Sequence, residues 1–277
     1  MKAPDFDYHR PETLESALTL MAGEEAAALA GGQSLMPMMN FRIAAPEALI
    51  DLNGLSELSG VSVADGWVNI GAMTRYADLE RDPEVSRHLP LVARVLPHIA
   101  HAAIRNRGTI GGSCALADPA AEMPAVLLAL GGEVSLANAR GTRRIAADDF
   151  FHGLYETARG EDELIKAVHL PASEDKRIGF HEITRRHGDY AMAGCAVAAS
   201  RDLGEVRVAL FGVSDRALRA SGAEAALSGS DGGAEALGNA IAALDEIDFS
   251  SDLQADEKTK KHLAGVALRR AWAEVMA

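Results

Sequence analysis

Cysteine is scarce in this sequence. Its 277 residues include only Cys114 and Cys195, and no Cys-x-x-Cys pair occurs. A cysteine-rich zinc site and an iron–sulfur cluster bound by this chain alone are therefore excluded, because both depend on several thiolate ligands. Any such cluster working with this protein would have to be bound by another chain.

Positive charge is also in short supply. Lysine and arginine together number 27 against 40 aspartates and glutamates, which gives a formal net charge of −13 at pH 7. This balance argues against nucleic acid or an anionic membrane surface as a partner. An anionic small ligand would have to be bound by backbone N–H groups and a few local arginines.

Long apolar runs are missing as well. No uninterrupted apolar stretch reaches the ~18 residues typical of a membrane-spanning helix, and residues 1–8 lack the apolar core of a signal peptide. We therefore expect a cytoplasmic protein with no membrane span. Hydrophobic residues make up 48% of the chain and charged residues 24%, which is ordinary globular usage.

The N-terminal part is organised around a glycine pair that follows a short apolar segment. Residues 26–29 resemble a buried strand, and the loop Ala30-Gly31-Gly32-Gln33-Ser34-Leu35 comes directly after it. Glycine permits positive φ angles and a close approach of the backbone to a ligand. Successive N–H groups in such a turn can form a concave site for phosphate oxygens, although a tight turn that binds nothing has the same pattern.

A second glycine pair occurs in the loop Thr109-Ile110-Gly111-Gly112-Ser113. Downstream, Asp118 suits a helix N-cap and Pro119 the first helical position, and Gly131 suits the helix end. Pro124 predicts a break or kink inside that helix, so that the helix would start in two pieces. Two similar loops suggest a pyrophosphate held from both sides, and their spacing fits neither the Rossmann fingerprint nor the P-loop.

The order of predicted elements indicates an α+β fold with three parts. A helix near residues 14–21 and short strands on either side of the first loop form a first α/β lobe, residues 1–57. A hairpin turning at Asp65-Gly66 and another turning at residues 138–141 belong to a second α/β lobe, residues 58–174. Strands and then helices, the last from 256 to 275, form a smaller α+β C-terminal domain, residues 175–277.

Three motifs in the same order resemble those of a known family, the FAD-binding medium subunits of molybdenum hydroxylases. Carbon monoxide dehydrogenase has such a subunit, and the FAD segment of xanthine dehydrogenase is similar. The matching segments are Ala30–Leu35, Arg105–Ser113 with Ala117-Asp118-Pro119 and Glu122, and Arg185–Ala191. The resemblance covers nearly the whole chain and implies a bilobed FAD-binding domain followed by the smaller C-terminal domain.

The resemblance also implies a set of cofactor-binding residues. Glu122 would meet a cofactor hydroxyl, Ile165 would contact the cofactor with an apolar side chain, and Tyr190 would lie beside the isoalloxazine ring. Both glycine loops would hold the FAD pyrophosphate through Ala30, Gly31, Gly32, Gln33, Ser34, Leu35, Thr109, Ile110, Gly111, Gly112 and Ser113.

Four positions depart from the family pattern. Ser113 replaces a frequent Asn and Ala103 a frequent Gln. Glu122 stands where Asp is common, and Glu182 replaces a frequent Lys. The longer Glu122 side chain puts the hydroxyl contact in doubt. Glu182 removes a cationic contact near the flavin and would make the bound flavin harder to reduce.

Other chemistry-bearing residues have two interpretations each. His98 and His101 have the spacing of a shared helix face and could bind a metal or be ordinary histidines. Cys114 could have a lowered pKa near a helix start, or be a small buried filler. Tyr190 could be a core aromatic residue. We assign no metal site and no catalytic residue.

The leading hypothesis is an oxidoreductase subunit that binds FAD and transfers electrons. By the resemblance, it would assemble with a molybdenum-containing large subunit and a [2Fe-2S] small subunit, as a heterotrimer or its dimer. A free-standing flavin-dependent oxidoreductase and a non-catalytic nucleotide-binding module are the alternatives. The substrate stays open, and so does the final electron acceptor: NAD, a quinone or oxygen.

Overall fold

The N-terminal unit contains a small parallel sheet with one helix packed on it. The computed structural model describes residues 2–23 and 25–277; Met1 and Glu24, both in the predicted first lobe, lie outside the described residues. The sheet order is β1-β3-β2, with both neighbours parallel to β3. The elements are β1 (Asp7–His9), α1 (Leu14–Met21), β2 (Ala26–Leu29), α2 (Leu35–Asn40) and β3 (Ala48–Asp51).

A five-stranded antiparallel sheet, β4-β5-β10-β6-β7, forms the second unit, and a two-stranded ribbon, β8-β9, accompanies it. Its strands are β4 (Val61–Ala64), β5 (Trp67–Gly71), β6 (Glu133–Asn138), β7 (Gly141–Ala146), β8 (Phe151–Gly153), β9 (Glu156–Thr157) and β10 (Leu164–Pro171). Its helices are α3 (Tyr76–Leu79), α4 (Pro83–His88), α5 (Pro90–Val95), α6 (Ala102–Arg105), α7 (Ile110–Leu116) and α8 (Glu122–Leu130).

The C-terminal unit is a four-stranded antiparallel sheet, β11-β12-β13-β14, covered by three helices. The long last helix packs closely on the sheet, since a Cβ at Gly179 would lie 2.0 Å from the carbonyl oxygen of Ala271. The elements are β11 (Arg177–Ile183), β12 (Ala193–Ala199), β13 (Val206–Phe211), β14 (Leu218–Arg219), α9 (Ser221–Leu227), α10 (Ala234–Ala242) and α11 (Glu257–Val275).

Both predicted hairpins are confirmed. Asp65 and Gly66 have φ angles of 52° and 77°, as a type I′ turn requires. The second hairpin pairs β6 with β7 and turns between Asn138 and Gly141. The last helix is also confirmed, with Asp256 as its N-cap. The α+β class is therefore the observed one.

The predicted start of α8 is wrong. The helix begins at Glu122, and the carboxylate of Asp118 accepts a hydrogen bond from the N–H of Ala120, 2.9 Å away, in a turn that precedes the helix. Pro124 causes no break, because it lies in the first helical turn, where the N–H group that proline lacks has no intrahelical partner anyway. The predicted end is confirmed, since Gly131 has a φ of 69°.

The second and third units share one hydrophobic core. Phe180 and Phe211 of the C-terminal sheet stack with ring centroids 5.9 Å apart and join the same buried cluster as α8 and the five-stranded sheet. Polar contacts cross the same boundary: Arg207 donates to Leu128 O at 3.0 Å and to Asp148 Oδ2 at 3.0 Å. The boundaries at residues 57 and 174 stay predictions.

A buried histidine in the five-stranded sheet should make the protein sensitive to acid. His169 Nδ1 lies 2.6 Å from Asn69 Oδ1, and Nε2 lies 2.7 Å from Ser135 Oγ. The Arg144 guanidinium also lies 3.1 Å from Nδ1, and a cation so close disfavours a second positive charge on the imidazole. Burial, together with the charge of Arg144, lowers the pKa of His169 from 6.5 to about 4.

We therefore predict that the free energy of unfolding falls by roughly 1–2 kcal/mol as the pH drops from 6.5 to 4, because the unfolded chain binds a proton in this window that the native state does not. Urea unfolding at a series of pH values measures this. His169→Gln should remove that part of the slope. His262→Gln, on the exposed side of α11, should keep it; equal slopes in parent and His169→Gln would contradict the prediction.

Candidate functional site: the two glycine loops

The two glycine loops lie against each other. A Cβ atom at position 31 would be only 2.2 Å from the carbonyl oxygen of Arg107 and 3.0 Å from Gly108 Cα. A Cβ at position 112 would be 3.8 Å from Ala30 Cβ. Segments separated by some 80 positions in the sequence thus form one continuous surface, and Gly31 is required where their backbones touch.

The first loop offers free hydrogen-bond donors. Within the described part of the chain, the backbone N–H groups of Gly31, Gly32, Gln33, Ser34 and Leu35 have no hydrogen-bond partner. The Ser34 side chain does not cap α2, and the Gln33 amide donates back to Gly31 O at 3.1 Å. Five successive donors at the carboxyl end of a parallel strand form an anion-binding concavity.

The second loop has fewer free donors than the first. The prediction that it forms a similar phosphate site is therefore wrong for its central N–H groups. Those groups are used inside the protein: Ile110 donates to Thr74 O, Gly111 to Ala72 O at 2.9 Å, and Gly112 to Thr109 Oγ1 at 3.0 Å. Thr109 is thereby the N-cap of α7. This loop forms a rigid wall beside the first loop, and the Ser113 side chain is partly exposed on it.

Several residues that connect the loops were missed by sequence reasoning. Asn53 Nδ2 donates to Ala30 O at 3.0 Å, and the Arg75 guanidinium donates to both Asn53 Oδ1 and Arg107 O. The Tyr8 hydroxyl donates to Asp51, which in turn accepts from Asn53 N at 2.9 Å. One sequence signal could have indicated Asn53. It follows β3, the parallel neighbour of β2, so Asn53 and the first loop lie at the same edge of the sheet.

Glu122 is a buried carboxyl group at the first turn of α8, with 8% of its surface exposed. Burial is the main cause that raises its pKa to about 8, and the nearby charges of Glu182 and Asp118 act in the same direction. At neutral pH the protonated form is therefore favoured, and a protonated carboxyl group can donate as well as accept a hydrogen bond.

Glu182 is enclosed rather than solvated. Its side chain is 6% exposed, and Oε1 lies 3.2 Å from His98 Nδ1. Its Oε2 atom is buried and has no hydrogen-bond partner in the described residues. The Tyr76 hydroxyl, behind the second loop, is likewise buried without a partner. Glu182 lies beside the predicted cofactor residue Glu122, so its Oε2 leaves hydrogen-bonding capacity next to the predicted site.

The remaining predicted contacts, Tyr190 and Ile165, differ in their exposure. Tyr190 is 59% exposed, which rules out the core alternative, and it lies near Asp118. Tyr155, 55% exposed, is another neighbour of Asp118. Ile165 is buried in β10 at 6% exposure, so its side chain would reach a ligand only through a small exposed part.

The other candidates have structural roles. Cys114 is fully buried, and burial raises its pKa to about 12, so the filler interpretation holds. His98 contacts Glu182 and the edge of the Phe180 ring.

Among residues 2–23 and 25–277, no group of three or more His, Cys, Asp or Glu side chains could hold a metal ion. In the same residues no helix is long and apolar enough to cross a membrane.

Comparison with known proteins shows the family to which this chain belongs. Residues 4–173 match the family described as the FAD binding domain in molybdopterin dehydrogenase, and residues 178–275 match the CO dehydrogenase flavoprotein C-terminal domain. The chain belongs to this family of FAD-binding medium subunits. Its cofactor is FAD, as predicted.

Similar medium subunits match along almost their whole length. The chain is 38% identical to the nicotine 6-hydroxylase medium subunit of Paenarthrobacter nicotinovorans, over 98% of this chain and 97% of that protein. It is also 38% identical to the carbon monoxide dehydrogenase medium chain of Hydrogenophaga pseudoflava, with the same coverage.

Solved structures of this medium-subunit family show the same fold. A carbon monoxide dehydrogenase chain from Hydrogenophaga pseudoflava superposes with a TM-score of 0.95 at 39% identity, covering 99% of both chains. A chain of quinoline 2-oxidoreductase from Pseudomonas putida 86 gives a TM-score of 0.94 at 35% identity, covering 99% of this chain and 98% of the other.

The residues present fit FAD. The free N–H groups of the first loop suit phosphate oxygens, which only accept hydrogen bonds in their ionised form. The exposed ring of Tyr190 provides an aromatic surface.

Proposed function

We propose that this chain is the electron-transfer subunit of a multi-subunit molybdenum hydroxylase. In this proposal electrons pass from iron–sulfur clusters of a small subunit to the bound FAD and on to an external acceptor. The row of free backbone donors in the first loop carries the proposal, because it provides a site for an anionic dinucleotide. FAD supplies the redox chemistry, and the protein binds and orients it.

The residues proposed to hold FAD divide into three groups. The first loop, Ala30–Leu35, would bind the pyrophosphate through its N–H groups, while the second loop, Thr109–Ser113, would enclose it from the other side. Glu122 would contact a cofactor hydroxyl. Ile165 and Tyr190 would contact the cofactor with apolar and aromatic surface. The difference in free donors supports a larger role for the first loop than for the second.

The proposed partners are a molybdenum-containing large subunit and a [2Fe-2S] small subunit, in a heterotrimer or its dimer. Exposed apolar side chains near the loops support a partner surface there: Phe41 is 65% exposed and Ile43 is 73% exposed, and both directly follow α2. Interface cores are depleted in charge and enriched in such residues. The cytoplasmic location stays a prediction.

Coexpression with the neighbouring subunits tests the proposal. We expect a stable assembly that contains molybdenum, iron and FAD. The isolated chain should be yellow, release FAD rather than FMN on mild denaturation, and oxidise no organic substrate. Rapid turnover of such a substrate by the metal-free chain would instead show a free-standing flavoenzyme, and a colourless chain without flavin affinity would leave a nucleotide-binding module.

A further inference from the structure

A chain of side-chain hydrogen bonds joins the two glycine loops. It starts at Ala30 O of the first loop, which accepts from Asn53 Nδ2 at 3.0 Å. The oxygen of the same amide accepts from Arg75, and the other arm of that guanidinium donates to Arg107 O, directly before the second loop. Arg75 thus connects the two loops. It contacts Asn53, which is bonded to the first loop, and the backbone of Arg107, next to the second loop.

Both ends of the connection are fixed. Asp51 accepts from the Asn53 N–H at 2.9 Å and so orients the start of the short turn that carries Asn53. Arg75 forms a backbone bridge with Thr109, and the adjoining Tyr76 N–H donates to Gly108 O at 3.1 Å. The backbone of Arg75 is therefore anchored on the second loop, and its guanidinium reaches from there to Asn53. The planar guanidinium suits two acceptors at once, here Asn53 Oδ1 and Arg107 O.

Arg107 O has a second neighbour, which makes the spacing critical. The missing Cβ of Gly31 would lie 2.2 Å from that oxygen, so the carbonyl that Arg75 holds is the atom against which the first loop packs. A shift of this carbonyl would move the wall beside Gly31 and the free N–H groups that follow it.

The guanidinium of Arg107 lies near that of Arg75. Burial, and then the charge of Arg107, lower the pKa of Arg75. Two guanidinium groups therefore lie close together beside the loops, and because only that of Arg75 donates to both Asn53 and Arg107 O, the effect of charge can be separated from that of spacing.

We propose that Arg75 is a positioning residue of the cofactor site: through Asn53 and Arg107 O it fixes the separation of the two glycine loops that FAD occupies. The proposal rests on the proposed placement of FAD at these loops. Arg75 acts here through the backbone of the loops and is assigned no step in the reaction.

The FAD dissociation constant of the full-length chain tests this, measured by quenching of flavin fluorescence. Arg75→Met and Asn53→Ala should each weaken binding roughly tenfold, as expected when a pair of hydrogen bonds that hold one geometry is lost. Because both act through one connection, the double variant should also lose about tenfold rather than a hundredfold. Arg75→Lys should not restore binding, since an ammonium group cannot reproduce the planar fork.

Arg107→Met is the matched control, because it removes a neighbouring positive charge but keeps the Arg107 carbonyl. It should change the dissociation constant less than about threefold. Equal losses for Arg107→Met and Arg75→Met, or full rescue by Arg75→Lys, would show that charge and not spacing matters and would overturn the proposal. So would additive losses in the double variant.

The folded state of each variant is checked by thermal unfolding of the cofactor-free protein. A folded Arg75→Met protein with parental affinity would overturn the positioning role even if the first-loop variant Gly32→Val had lost FAD. If the parent itself bound no FAD, or bound it with Gly32→Val unaffected, the placement of FAD at the loops would be wrong instead.

Discussion

Gly31→Ala should weaken FAD binding at least about thirtyfold, which corresponds to roughly 2 kcal/mol. The added methyl group would lie 2.2 Å from Arg107 O and 2.8 Å from its carbonyl carbon, and both are backbone atoms that no rotamer change can move. The two loops would have to separate, at a cost of about 1–3 kcal/mol that is typical of overpacking. Titration of the cofactor-free variant with FAD measures the effect.

Two further glycine variants make this result interpretable. Gly238→Ala, in α10 with open space around the new Cβ, introduces the same methyl group and should leave the affinity unchanged. Gly32→Val should also weaken binding, because Gly32 has a φ of 71° that β-branched residues rarely adopt. A folded Gly31→Ala protein with parental affinity would show that the contact between the loops is not needed for binding.

Glu122→Gln should stabilise the cofactor-free protein at pH 8 by roughly 2–4 kcal/mol. The pKa of Glu122 is raised from 4.5 to about 8, so between these values the native state binds a proton that the unfolded chain does not. The native state therefore loses stability as the pH rises from 4.5 to 8. Gln is a neutral isostere of the protonated acid and removes this loss. Urea unfolding at pH 5 and pH 8 measures it.

Glu224→Gln provides the contrast for that experiment. Glu224 is equally buried, but Oε1 accepts from Val208 N at 2.9 Å and from Arg219 Nε at 2.9 Å. Removal of its charge should destabilise the protein by about 1–3 kcal/mol, because the buried side chain loses its charge-assisted hydrogen bonds with the partly exposed Arg219 guanidinium. A Glu122→Gln protein that is less stable than the parent at pH 8 would show that Glu122 is charged in the native state.

Sequence reasoning succeeded where the determining interactions are local. The Asp65-Gly66 turn and the Gly131 helix end follow from backbone preferences of a few adjacent residues, and both glycine loops are contiguous motifs. Even so, the pattern of the second loop did not show that Ala72 and Thr74 already accept its N–H groups. Those acceptors are distant in sequence, and no property of the loop itself indicates them.

The connection between the loops was beyond sequence reasoning for the same reason. Arg75 contacts Asn53, 22 positions away, and Arg107, 32 positions away. The start of α8 failed for a different reason. Asp118-Pro119 has the composition of a helix start, but Asp118 caps a separate turn, and the helix begins at Glu122 with no side-chain cap. Local propensity indicated a start near that point and could not choose between two adjacent turns.

The core shared by the five-stranded sheet and the C-terminal sheet limits how this protein can be recombined with its relatives. Glu182 and Tyr190 come from the C-terminal segment, whereas Asp118, Glu122 and His98 come from the preceding one, and they meet across the boundary. A chimera joined near residue 174 would inherit one half of each pair from a different parent. Glu182 would then face whatever residue the other parent has at position 98, and without a hydrogen-bonding partner there its enclosed carboxylate would be unpaired. Productive crossover points for domain exchange therefore lie outside this boundary, so that both of its sides are transferred together.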